Sequence, residues 1–461
     1  NKLMFGETKH IHFVGIGGIG MSGIAELLYK LGFKISGSDQ IESDRTNSLN
    51  KIGIEIFIGH NKNNVQKSDV VVYSSAINKS NPEIQSAIKL KIPVIRRAEM
   101  LAELIKLKKI SIAIAGTHGK TTTASMLGSI LTASSSDPTM VIGGIVNKFQ
   151  SNSISGKGNI IVVEADEFDR SFLTLQPTIG VITNLDLEHL DCYKNLEDLK
   201  DAFTQFANAV PFYGKIAIGT DNKNSDSIVK NINRPVISFG LNKNANIRAE
   251  DLFFSKNKCS FTLIDNNKKI GVLNINVPGK HNIKNALAAI TIALELDISF
   301  QNIKDGLSQY SGVRRRFDIK YKTSNQIMIV DDYAHHPAEV LATLNAAKNG
   351  WKKRLIAVFQ PHLFSRTRDF YKEFAKAFLK ADILILTDIF EAREKPIKGI
   401  TSEIIYNESI KLGHDNVELI RSQFDIPRRL KDISQTNDII ITMGAGNIWR
   451  QCKNIYKALE V

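Results

Sequence analysis

The sequence predicts an α/β protein of three domains in which parallel sheets are covered by helices. Its 461 residues suffice for two to four domains. Apolar segments of strand length alternate with helical patterns along the chain, which is the order that parallel sheets require. A glycine-rich turn follows a strand and opens a helix three times, at Gly15–Gly20, Gly116–Gly119 and Gly444–Gly446. We therefore expect one such sheet in each of three successive segments.

Two charged stretches mark the predicted domain boundaries. The helical pattern Ala98–Lys109 and the basic stretch Gly312–Phe317 divide the chain into residues 1–107, 108–312 and 313–461. In the first segment the predicted strands are His10–Gly15, Lys34–Gly37, Asp69–Tyr73 and Ile92–Arg96. The first of these leads into a helix whose apolar face carries Ile24, Leu27, Leu28 and Leu31.

The second and third segments continue the same alternation. After the apolar run that begins at Ile110, the predicted strands of the second segment are Asn159–Val163, Thr178–Thr183 and Lys215–Ile218. An antiparallel insertion is expected at Cys259–Ile264 and Lys269–Val277, because Asp265-Asn266-Asn267 suits a hairpin turn, and a helix His281–Leu296 follows. The predicted strands of the third segment are Gln326–Val330, Arg354–Phe359, Asp382–Leu386 and Asp438–Thr442.

The composition is that of an ordinary globular protein and excludes several classes. A formal net charge of +13 would suit nucleic acid, but Arg314-Arg315-Arg316 is the only run of three arginines and no nucleic-acid-binding motif accompanies it. An anionic substrate explains the charge equally well. No apolar run approaches the roughly 20 residues that cross a bilayer, so we expect no membrane insertion. The dispersed cysteines, which indicate a reducing cytoplasm, are Cys192, Cys259 and Cys452.

The turn Gly116–Thr122 is the strongest functional signal. It would point backbone N–H groups and the positive end of a helix at one spot, as in sites that bind ATP phosphates. Lys120 would neutralise the β- and γ-phosphate oxygens, and the Thr121 hydroxyl would bind Mg²⁺. The turn is shorter than the standard phosphate loop, because Ile114 stands where that loop has its first glycine. The predicted ATP ligands of this turn are Gly116, Thr117, His118, Gly119, Lys120, Thr121 and Thr122. The alternative is a glycine-rich turn that carries a lysine by chance.

The first glycine cluster, Gly15–Gly20, has the pattern of a dinucleotide-binding turn. It opens a helix, and Asp39 lies 24 residues after Gly15, where an acid can contact a ribose. The pattern predicts a nucleoside diphosphate but does not distinguish NAD from a UDP-sugar. A tight turn without a ligand is the remaining alternative. A second nucleotide at Gly116–Thr122 favours one nucleotide that carries the substrate and another that supplies energy.

Acidic residues follow two strands of the second segment. Because ligands bind at the carboxyl edge of open α/β sheets, Glu164 is the predicted Mg²⁺ ligand beside Thr121. The next strand leads to His189, whose neutral imidazole can bind a second metal ion. Solvated loop side chains or helix caps are the alternatives for these positions. The weaker candidates are Asp166, Glu167 and Asp191.

Two clusters follow strands of the third segment. One is Asp331–Pro337, and the other is Gln360–Arg368. The arginines of the second cluster, Arg366 and Arg368, suit carboxylate or phosphate groups, because a guanidinium pairs bidentately with an oxyanion. Structural roles remain open, with Pro337 as the first residue of a helix and Asp332 as its cap. Packing is the simpler explanation for Gly444–Gly446.

Ten motifs in order along nearly the whole chain resemble those of the Mur ligase family. They are HIHFVGIGGIGMSG, SGSD, AGTHGKTTT, EADEFDRSF, TNLDLEHLD, PGKHNIKNALAA, RRRFD, DDYAHHP, QPHLFSRTRD and MGAGNIW. The resemblance implies a Rossmann-like N-terminal domain for a UDP-linked substrate, a central P-loop-type ATPase domain and a Rossmann-like C-terminal domain for the incoming amino acid. It implies a bacterial cytoplasmic ligase that uses ATP to join L-alanine to the lactyl carboxylate of UDP-N-acetylmuramate, through an acyl phosphate, in peptidoglycan synthesis.

The resemblance also implies the roles of individual residues. The UDP-substrate would be bound by Gly15, Gly17, Gly18, Ile19, Gly20, Met21, Ser22, Asp39 and Ser74. Beyond the Gly116–Thr122 turn, ATP would be bound by His281, Asn282, Asn285, Arg316 and Asp331. Metal ions would be held by Thr121, Glu164 and His189. The acyl and amino-acid site would comprise Tyr333, His335, His336, Arg366 and Arg368. Catalysis would fall to Lys120, His335 and Arg366, with loss of the proton to water as the alternative to His335 as base.

The chain departs from the family pattern at two places. Members that add later residues have a carbamylated lysine after the metal histidine, where this chain has Phe203, Thr204 and Phe206. This favours the alanine-adding branch and leaves the shell of the second metal ion open. Leu363 stands where some members have arginine, so Arg368 would supply that anion contact.

Four alternatives stay open at this stage. Within the ligases they are an enzyme that attaches a whole tripeptide to UDP-N-acetylmuramate and a folate polyglutamylating ligase, although the latter would lack the first glycine cluster. From other classes they are an NAD-dependent oxidoreductase and an NTPase that moves a partner. We expect a monomer or homodimer that binds no nucleic acid.

Overall fold

The structure is a computed structural model that describes residues 5–147, 151–186, 192–392 and 394–460. The chain divides into two compact units. The first comprises Asn1–Glu250, Thr262–Leu273 and Lys284–Tyr310, and the second comprises Asp251–Phe261, Asn274–Ile283 and Ser311–Val461. The predicted α/β class is confirmed, because parallel strands alternate with helices in both units.

A parallel sheet of five strands begins the first unit. Its strands are β1 His10–Val14, β2 Lys34–Asp39, β3 Glu55–Ile58, β4 Val70–Tyr73 and β5 Val94–Arg96. The helices of this part are α1 Ile19–Lys30, α2 Asp44–Lys51, α3 Pro82–Lys89 and α4 Arg97–Ile105. The strand order is β3-β2-β1-β4-β5, so the carboxyl ends of β1, β2 and β4 are adjacent. Three of the four residues predicted for the apolar face of α1, Ile24, Leu27 and Leu28, are completely buried.

The second sheet has ten strands among the described residues. They are β6 Ile110–Ala115, β7 Thr139–Val146, β8 Ser151–Ile154, β9 Ile160–Glu164, β10 Ile179–Ile182, β11 Lys215–Gly219, β12 Val236–Gly240, β13 Ile247–Ser255, β14 Lys258–Asp265 and β15 Lys268–Ile275. The helices along this stretch are α5 Lys120–Ala133, α6 Leu196–Asn208, α7 Lys223–Ile228, α8 Lys280–Glu295 and α9 Phe300–Gln309. The strand order is β15-β14-β13-β12-β11-β10-β6-β9-β7-β8. The nucleotide turn therefore leaves a central strand, β6, which pairs in parallel with β9 and β10.

Two hairpins extend this sheet. The insertion predicted at Cys259–Val277 forms β14 and β15, and its turn residues Asn266 and Asn267 have positive φ angles of 43° and 69°. Both angles fit the tight turn that the residue types predict. The antiparallel pair β7 and β8 was not predicted, and a register shift interrupts it between Val141 and Val146.

The third sheet belongs to the second unit. Its strands are β16 Asp318–Lys322, β17 Met328–Asp332, β18 Leu355–Phe359, β19 Ile383–Leu386, β20 Val417–Leu419 and β21 Ile439–Met443. Its helices are α10 Pro337–Trp351, α11 Phe364–Phe378, α12 Glu403–Lys411, α13 Ile426–Ile433 and α14 Cys452–Glu460. The order is β16-β17-β21-β18-β19-β20, and only the β16–β17 pair among the described pairs of this sheet is antiparallel. The strand predicted at Gln326–Val330 lies two residues further on, because Asp331 and Asp332 continue the ladder.

One buried apolar cluster connects the two sheets of the first unit. It runs from Ile11 in β1 to Ile232 after α7 and includes residues of both sheets. Helix α1 contacts β2 on one side and β7 and β8 on the other. The short 3-10 helices of the chain cover Lys62–Val65, Phe168–Thr174, Val229–Asn231, Gln423–Asp425 and Ile448–Gln451. None of the helices in the described ranges has the length and apolarity to span a bilayer.

Candidate active site

The turn between β6 and α5 has the shape of an anion-binding loop. Gly116 and Gly119 have φ angles of 131° and 83°, in the left-handed region that favours glycine. Gly119 caps α5, which begins at Lys120. A Cβ atom on Gly119 would overlap the side chain of Asn285, so this close approach also requires glycine. The first backbone N–H groups of α5 therefore point toward the loop, where the positive end of the helix dipole attracts negative charge.

Residues after β10 hold this turn in place. Thr183 Oγ1 donates to the His118 carbonyl oxygen at 2.6 Å, and Asn184 Nδ2 donates to the same oxygen at 3.0 Å. The His118 N–H donates to Asn184 Oδ1 at 2.9 Å. Thr117 Oγ1 donates to the Asp186 carbonyl oxygen at 3.1 Å and accepts from the Asp186 N–H at 2.9 Å. The turn is therefore fixed from the neighbouring strand rather than by its own sequence alone.

Lys120 is paired with a buried carboxylate. Its Nζ donates to Glu167 Oε2 at 2.8 Å and to the Gly116 carbonyl oxygen at 2.6 Å. The Glu167 side chain is 1% exposed. The backbone carbonyl oxygen of Glu167 accepts a hydrogen bond from the Tyr193 hydroxyl at 2.6 Å. Burial alone would lower the pKa of Lys120, but Glu167 and the nearby Asp166 outweigh it and raise that pKa above its ordinary value. Lys120 is thus a permanent cation. Sequence reasoning placed Glu167 only among the weaker acidic candidates and did not identify it as the partner of Lys120.

Glu164 and Thr121 offer oxygen atoms side by side. The Gly143 N–H donates to Glu164 Oε1 at 2.6 Å, and the Thr121 side chain hydrogen-bonds to the same carboxylate. Burial raises the pKa of Glu164, although these hydrogen bonds and Lys120 oppose the increase. Carboxylate and hydroxyl oxygens suit Mg²⁺, so this pair fits the expected ion. The predicted ligand His189 and the weaker candidate Asp191 lie outside the described residues. No group of three or more His, Cys, Asp and Glu side chains within the described ranges has metal-binding geometry.

The helix expected to carry a carbamylated lysine in other branches has an apolar core face here. Phe203 and Phe206 of α6 are completely buried. Thr204 Oγ1 donates to the Lys200 carbonyl oxygen at 2.8 Å within the helix. These three positions therefore serve packing and helix formation.

The first glycine cluster forms the turn between β1 and α1. The N–H groups of Gly15 and Ile16 donate to the Ser38 carbonyl oxygen at 2.8 and 3.0 Å. The Gly17 N–H donates to Asp39 Oδ2 at 2.8 Å, and a Cβ atom on Gly17 would lie 2.8 Å from the same oxygen. Asp39 is therefore held on the turn by the backbone of Gly17. Gly18 caps α1.

The remaining residues predicted for the UDP-substrate surround this turn. Ile19, Gly20, Met21 and Ser22 form the first turn of α1, and Ser22 Oγ donates to the Ile19 carbonyl oxygen at 3.0 Å. Ser74 follows β4, and its Cβ lies 3.4 Å from where a Cβ on Gly15 would stand. The structure thus brings these residues together at the carboxyl ends of β1, β2 and β4.

The buried carboxylate of Glu83 supports the Gly15–Gly20 turn through Ser38, whose carbonyl oxygen accepts from that turn. Glu83 is completely buried, and its Oε2 accepts from Ser38 Oγ at 2.5 Å while Oε1 accepts from Asn64 Nδ2 at 2.5 Å. His12 Nε2 lies 3.5 Å from Glu83 Oε2. Burial alone would raise the pKa of Glu83, but hydrogen bonds from His12 and Ser38 lower it below its ordinary value. Sequence reasoning missed this support, although the polar His12 within an apolar strand was a usable signal.

Asn152 connects the hairpin of the second sheet to the first turn of α1. Its Nδ2 donates to the Ile19 carbonyl oxygen at 2.8 Å. A Cβ atom on Gly23 would lie 3.1 Å from the same nitrogen, so the helix approaches β8 closely. On the other strand of this hairpin, Gly143 holds Glu164. The hairpin therefore contacts both predicted nucleotide sites of the first unit.

In the second unit, Arg315 forms hydrogen bonds and ring contacts at the end of β17. Arg315 has a φ of 62°, rare for a non-glycine residue, and its Nε donates to Asp331 Oδ2 at 2.9 Å. Its Nη2 donates to the Gly444 carbonyl oxygen at 2.6 Å, and its guanidinium lies 4.9 Å from the centre of the Tyr333 ring. Gly444 thus serves this packing.

Asp331 and Asp332 are both used internally. The Asp331 side chain is completely buried, and its Oδ1 accepts from Thr442 Oγ1 at 2.8 Å. Burial raises the pKa of Asp331, and that of Asp332 to about 6. Asp332 accepts from the N–H groups of Phe317 and Ala334, both at 2.8 Å. Its alternative role as the cap of α10 is wrong, because His336 is the capping residue; Pro337 is the first residue of the helix, as predicted.

His335 lies between charged groups of both signs. Its Nδ1 is 3.2 Å from Glu339 Oε2, and its ring centre is 6.2 Å from that of His362. Arg366 Nη1 lies 3.2 Å from His362 Nδ1. Burial lowers the pKa of His335 to about 3, with Glu339 opposing the decrease and Arg366 reinforcing it. His335 is therefore a neutral imidazole at physiological pH.

The other predicted residues of the second unit have separate places. His336 packs edge-on against Phe370, with ring centres 4.9 Å apart. Arg368 is exposed and pairs with the adjacent Asp369 at 2.7 Å. Leu363, at the position of the family arginine, has a φ of 72° and caps α11. The structure therefore groups Tyr333, His335 and Arg366, and it directs Arg368 to Asp369.

The residues that the resemblance assigns to ATP outside the Gly116–Thr122 turn are divided between the units. Asn285, in the first unit, lies against Gly119 of the nucleotide turn. In the second unit, Asn282 Nδ2 donates to the Pro278 carbonyl oxygen at 2.7 Å, and His281 lies beside Gly279. Arg316, also in the second unit, pairs with Glu339 at 3.3 Å.

Sequence models of one family match most of the chain. The matches are to "Mur ligase family, catalytic domain" at residues 10–109, "Mur ligase middle domain" at 114–293 and "Mur ligase, glutamate ligase domain" at 315–446.

Individual proteins are similar over the full length. The chain is 48% identical to a UDP-N-acetylmuramate–L-alanine ligase of Trichlorobacter lovleyi, over 99% of this chain and 100% of that protein. The crystal structure of a UDP-N-acetylmuramate-alanine ligase from Thermotoga maritima is 28% identical, with a TM-score of 0.83 over 98% of this chain and 99% of that chain. A murein peptide ligase from Psychrobacter arcticus is 25% identical, with a TM-score of 0.71 over 98% and 99%.

Proposed function

The chain belongs to the Mur ligase family, and we propose that it joins L-alanine to the lactyl carboxylate of UDP-N-acetylmuramate through an acyl phosphate, with conversion of ATP to ADP and phosphate. Two anion-binding turns carry the proposal. Gly15–Gly20 and Gly116–Gly119 each open a helix at the carboxyl edge of a parallel sheet in the first unit. A ligase that activates one nucleotide-linked substrate with another nucleotide needs two such sites.

The turn at Gly116–Thr122 binds the ATP phosphates in this proposal. Its N–H groups meet the oxygens, and Lys120 exchanges Glu167 for the phosphate charge as ATP enters. Such fixed positive groups stabilise the charge that develops during phosphoryl transfer. Asn285 contacts the same nucleotide, since it packs against Gly119. Asp331 would contact the ribose only after exchanging Arg315 and Thr442, which now hold its carboxylate.

Mg²⁺ fits the oxygen pair of Thr121 and Glu164. When bound, the ion supplies charge neutralisation for the phosphoryl oxygens. Glu164 is oriented for this role by the Gly143 N–H, and Lys120 adds a fixed positive charge nearby. His189 remains the proposed ligand of a second ion.

The turn at Gly15–Gly20 binds the diphosphate of UDP-N-acetylmuramate. Its glycines have no side chains, so a pyrophosphate can approach the backbone closely. Asp39 is held on the turn by Gly17 and contacts the ribose in this proposal. Ile19, Met21, Ser22 and Ser74 complete the site.

Tyr333, His335 and Arg366 bind the acyl group and L-alanine. A carboxylate is a poor electrophile, and its phosphorylation creates a leaving group that the alanine amine can displace. The amine must be unprotonated to attack, and the neutral His335 imidazole can accept its proton. Arg366 provides a cation for the carboxylate of alanine. His336 and Arg368 remain further proposed residues of this site.

We further propose a division into three domains at residues 1–107, 108–312 and 313–461. The family matches to residues 10–109, 114–293 and 315–446 support it. We propose that the protein acts in the bacterial cytoplasm as a monomer or homodimer, in the synthesis of peptidoglycan precursors.

An assay of ADP formation with one substrate omitted at a time tests the proposed function. We expect turnover only when ATP, UDP-N-acetylmuramate and L-alanine are all present. Turnover without UDP-N-acetylmuramate would instead indicate an NTPase. Turnover with the tripeptide but not with L-alanine would identify the recycling ligase, whose relative shares only 25% identity with this chain.

A further inference from the structure

The Glu339 carboxylate is shared between Arg316 and His335, which the family resemblance assigns to ATP and to the amino-acid site. Its Oε1 lies 3.3 Å from Arg316 Nη1. Its Oε2 lies 3.2 Å from His335 Nδ1 and also accepts a hydrogen bond from the backbone N–H of His335 at 3.1 Å. The Glu339 side chain is 12% exposed. With both oxygens engaged, the carboxylate cannot rotate away from the imidazole.

The neighbours of Nδ1 decide which nitrogen of His335 carries the hydrogen. The Tyr333 carbonyl oxygen lies 3.0 Å from Nδ1 and can only accept a hydrogen bond. The Glu339 carboxylate, ionised in its pair with Arg316, can also only accept. Both contacts are satisfied only by an Nδ1–H group. In the neutral imidazole the lone pair is then on Nε2.

Charged groups reach this imidazole from three elements. Glu339 of α10 is the negative one. Arg366 of α11 and His362, which precedes that helix, lie close enough to the ring to disfavour its protonation. Tyr333, at the end of β17, packs against it with ring centres 5.3 Å apart. Glu339 is therefore the group that stabilises a positive charge on His335.

Resting on the proposed ligase reaction, we propose that Glu339 is a positioning residue that holds His335 in the Nδ1–H form, so that Nε2 accepts the proton of the alanine ammonium group. The proton moves from the ammonium nitrogen to Nε2. The amine lone pair then forms the C–N bond with the acyl carbon and the C–O bond to phosphate breaks. Phosphate leaves with the bonding electrons and takes up the second proton, which the attacking nitrogen loses as it becomes the amide. The imidazolium that results faces the Glu339 charge, as in other carboxylate–histidine pairs.

A simple capping role would explain less. Glu339 is the third residue of α10, where an acid commonly accepts backbone N–H groups. That role requires only the contact with the His335 N–H. It predicts neither the approach to Nδ1 nor the pair with Arg316, and glutamine would perform it equally well.

The test is Glu339→Gln, which keeps the shape and the acceptor but removes the charge. At neutral pH we expect kcat with L-alanine to fall about tenfold or more, since a general base contributes 10² or more. The KM for UDP-N-acetylmuramate and the melting temperature should not change. Hydroxylamine is uncharged at neutral pH and needs no base, so hydroxamate formation by the variant should keep the wild-type rate. The alanine defect should also shrink as the pH rises and free amine accumulates.

Glu99→Gln is the matched control. Glu99, in the first unit, is the third residue of α4, and its Oε2 accepts from the Arg96 N–H at 2.6 Å. This variant should match the wild type with both nucleophiles. A wild-type kcat of Glu339→Gln with L-alanine, or equal losses with alanine and hydroxylamine, would overturn the inference. Absence of alanine-dependent phosphate release in the wild type would instead overturn the proposed function.

Discussion

Lys120 Nζ lies 2.8 Å from Glu167 Oε2 and 2.6 Å from the Gly116 carbonyl oxygen of its own turn. The cation is thus neutralised by protein groups at the position where the phosphates of ATP are proposed to bind. Entry of ATP must replace an internal ion pair with one to the phosphate, and the buried Glu167 keeps Lys120 ordered until then.

Replacing Lys120 should nearly abolish turnover. In Lys120→Ala we expect phosphate release to fall at least about a hundredfold, because a positive group aimed at developing charge contributes about 10²–10³ in rate. Lys106→Ala removes an exposed lysine that pairs with Glu103 and should leave the rate unchanged. A near-normal rate in Lys120→Ala would show that the phosphates bind elsewhere.

Replacing Glu164 should change the dependence on Mg²⁺. Glu164→Gln still accepts from the Gly143 N–H but loses the charge that attracts a cation. The Mg²⁺ concentration for half-maximal velocity should rise about tenfold or more. Glu197→Gln, on an exposed position of α6, is the control. An unchanged Mg²⁺ titration would remove Glu164 from the metal site.

A side chain on Gly18 should block UDP-N-acetylmuramate without disturbing the fold. Gly18 has ordinary backbone angles, and a Cβ atom there would meet nothing closer than the Gly15 carbonyl oxygen at 3.5 Å. In Gly18→Val we expect calorimetric titration to show about tenfold weaker UDP-N-acetylmuramate binding, or about 1.4 kcal/mol, with ATP binding unchanged. Equal affinity for the UDP-sugar would contradict the assignment.

The same experiment on the neighbouring glycine separates fold from function. A Cβ atom on Gly17 would lie 2.8 Å from Asp39 Oδ2, so Gly17→Ala should lower the melting temperature as well as the affinity.

The neutral state of His335 should make stability depend on pH. Burial lowers its pKa to about 3, whereas histidine in an unfolded chain titrates near 6.5. Below pH of about 6.5 the unfolded chain therefore binds a proton that the folded chain does not. The stability that the neutral ring contributes is complete above pH of about 6.5 and is lost as the pH falls towards 3.

A variant without the imidazole should lack this dependence. Between pH 6.5 and 5.5, the free energy of unfolding of the wild type should fall by about 1 kcal/mol more than that of His335→Asn. Urea denaturation of both proteins at the two pH values measures the difference. Parallel behaviour would mean that the folded protein protonates His335 as easily as the unfolded chain does.

The strands that follow simple apolar patterns could be predicted from the sequence. The pair β7 and β8 could not, because Gly143-Gly144 interrupts the apolar run and Ser151–Ile154 is mostly polar. These strands are stabilised by their position, with β7 paired to β9 and both strands packed on α1. Likewise, Asp331 and Asp332 extend β17 because their carboxylates are hydrogen-bonded by distant residues, which a local pattern cannot reveal.

The candidate site shows the same division. Residues within one motif, such as Gly116 to Thr122, were predicted as a group because the chain itself keeps them together. The partners that hold them were missed or ranked low. Glu83 supports its turn from another helix, and Glu339 reads as an ordinary acid of a first helical turn. Their roles depend on sheet order and side-chain direction, which no motif encodes.

Helix α1 contacts both β2 of the first sheet and the β7–β8 hairpin of the second. Since the buried cluster from Ile11 to Ile232 also continues across both, neither sheet can lose its structure without exposing apolar surface of the other. Scanning calorimetry should accordingly record one heat-absorption peak for these two sheets. A fragment ending near residue 107 would expose to solvent the apolar surface of α1 that packs on the hairpin, and we expect this fragment to aggregate.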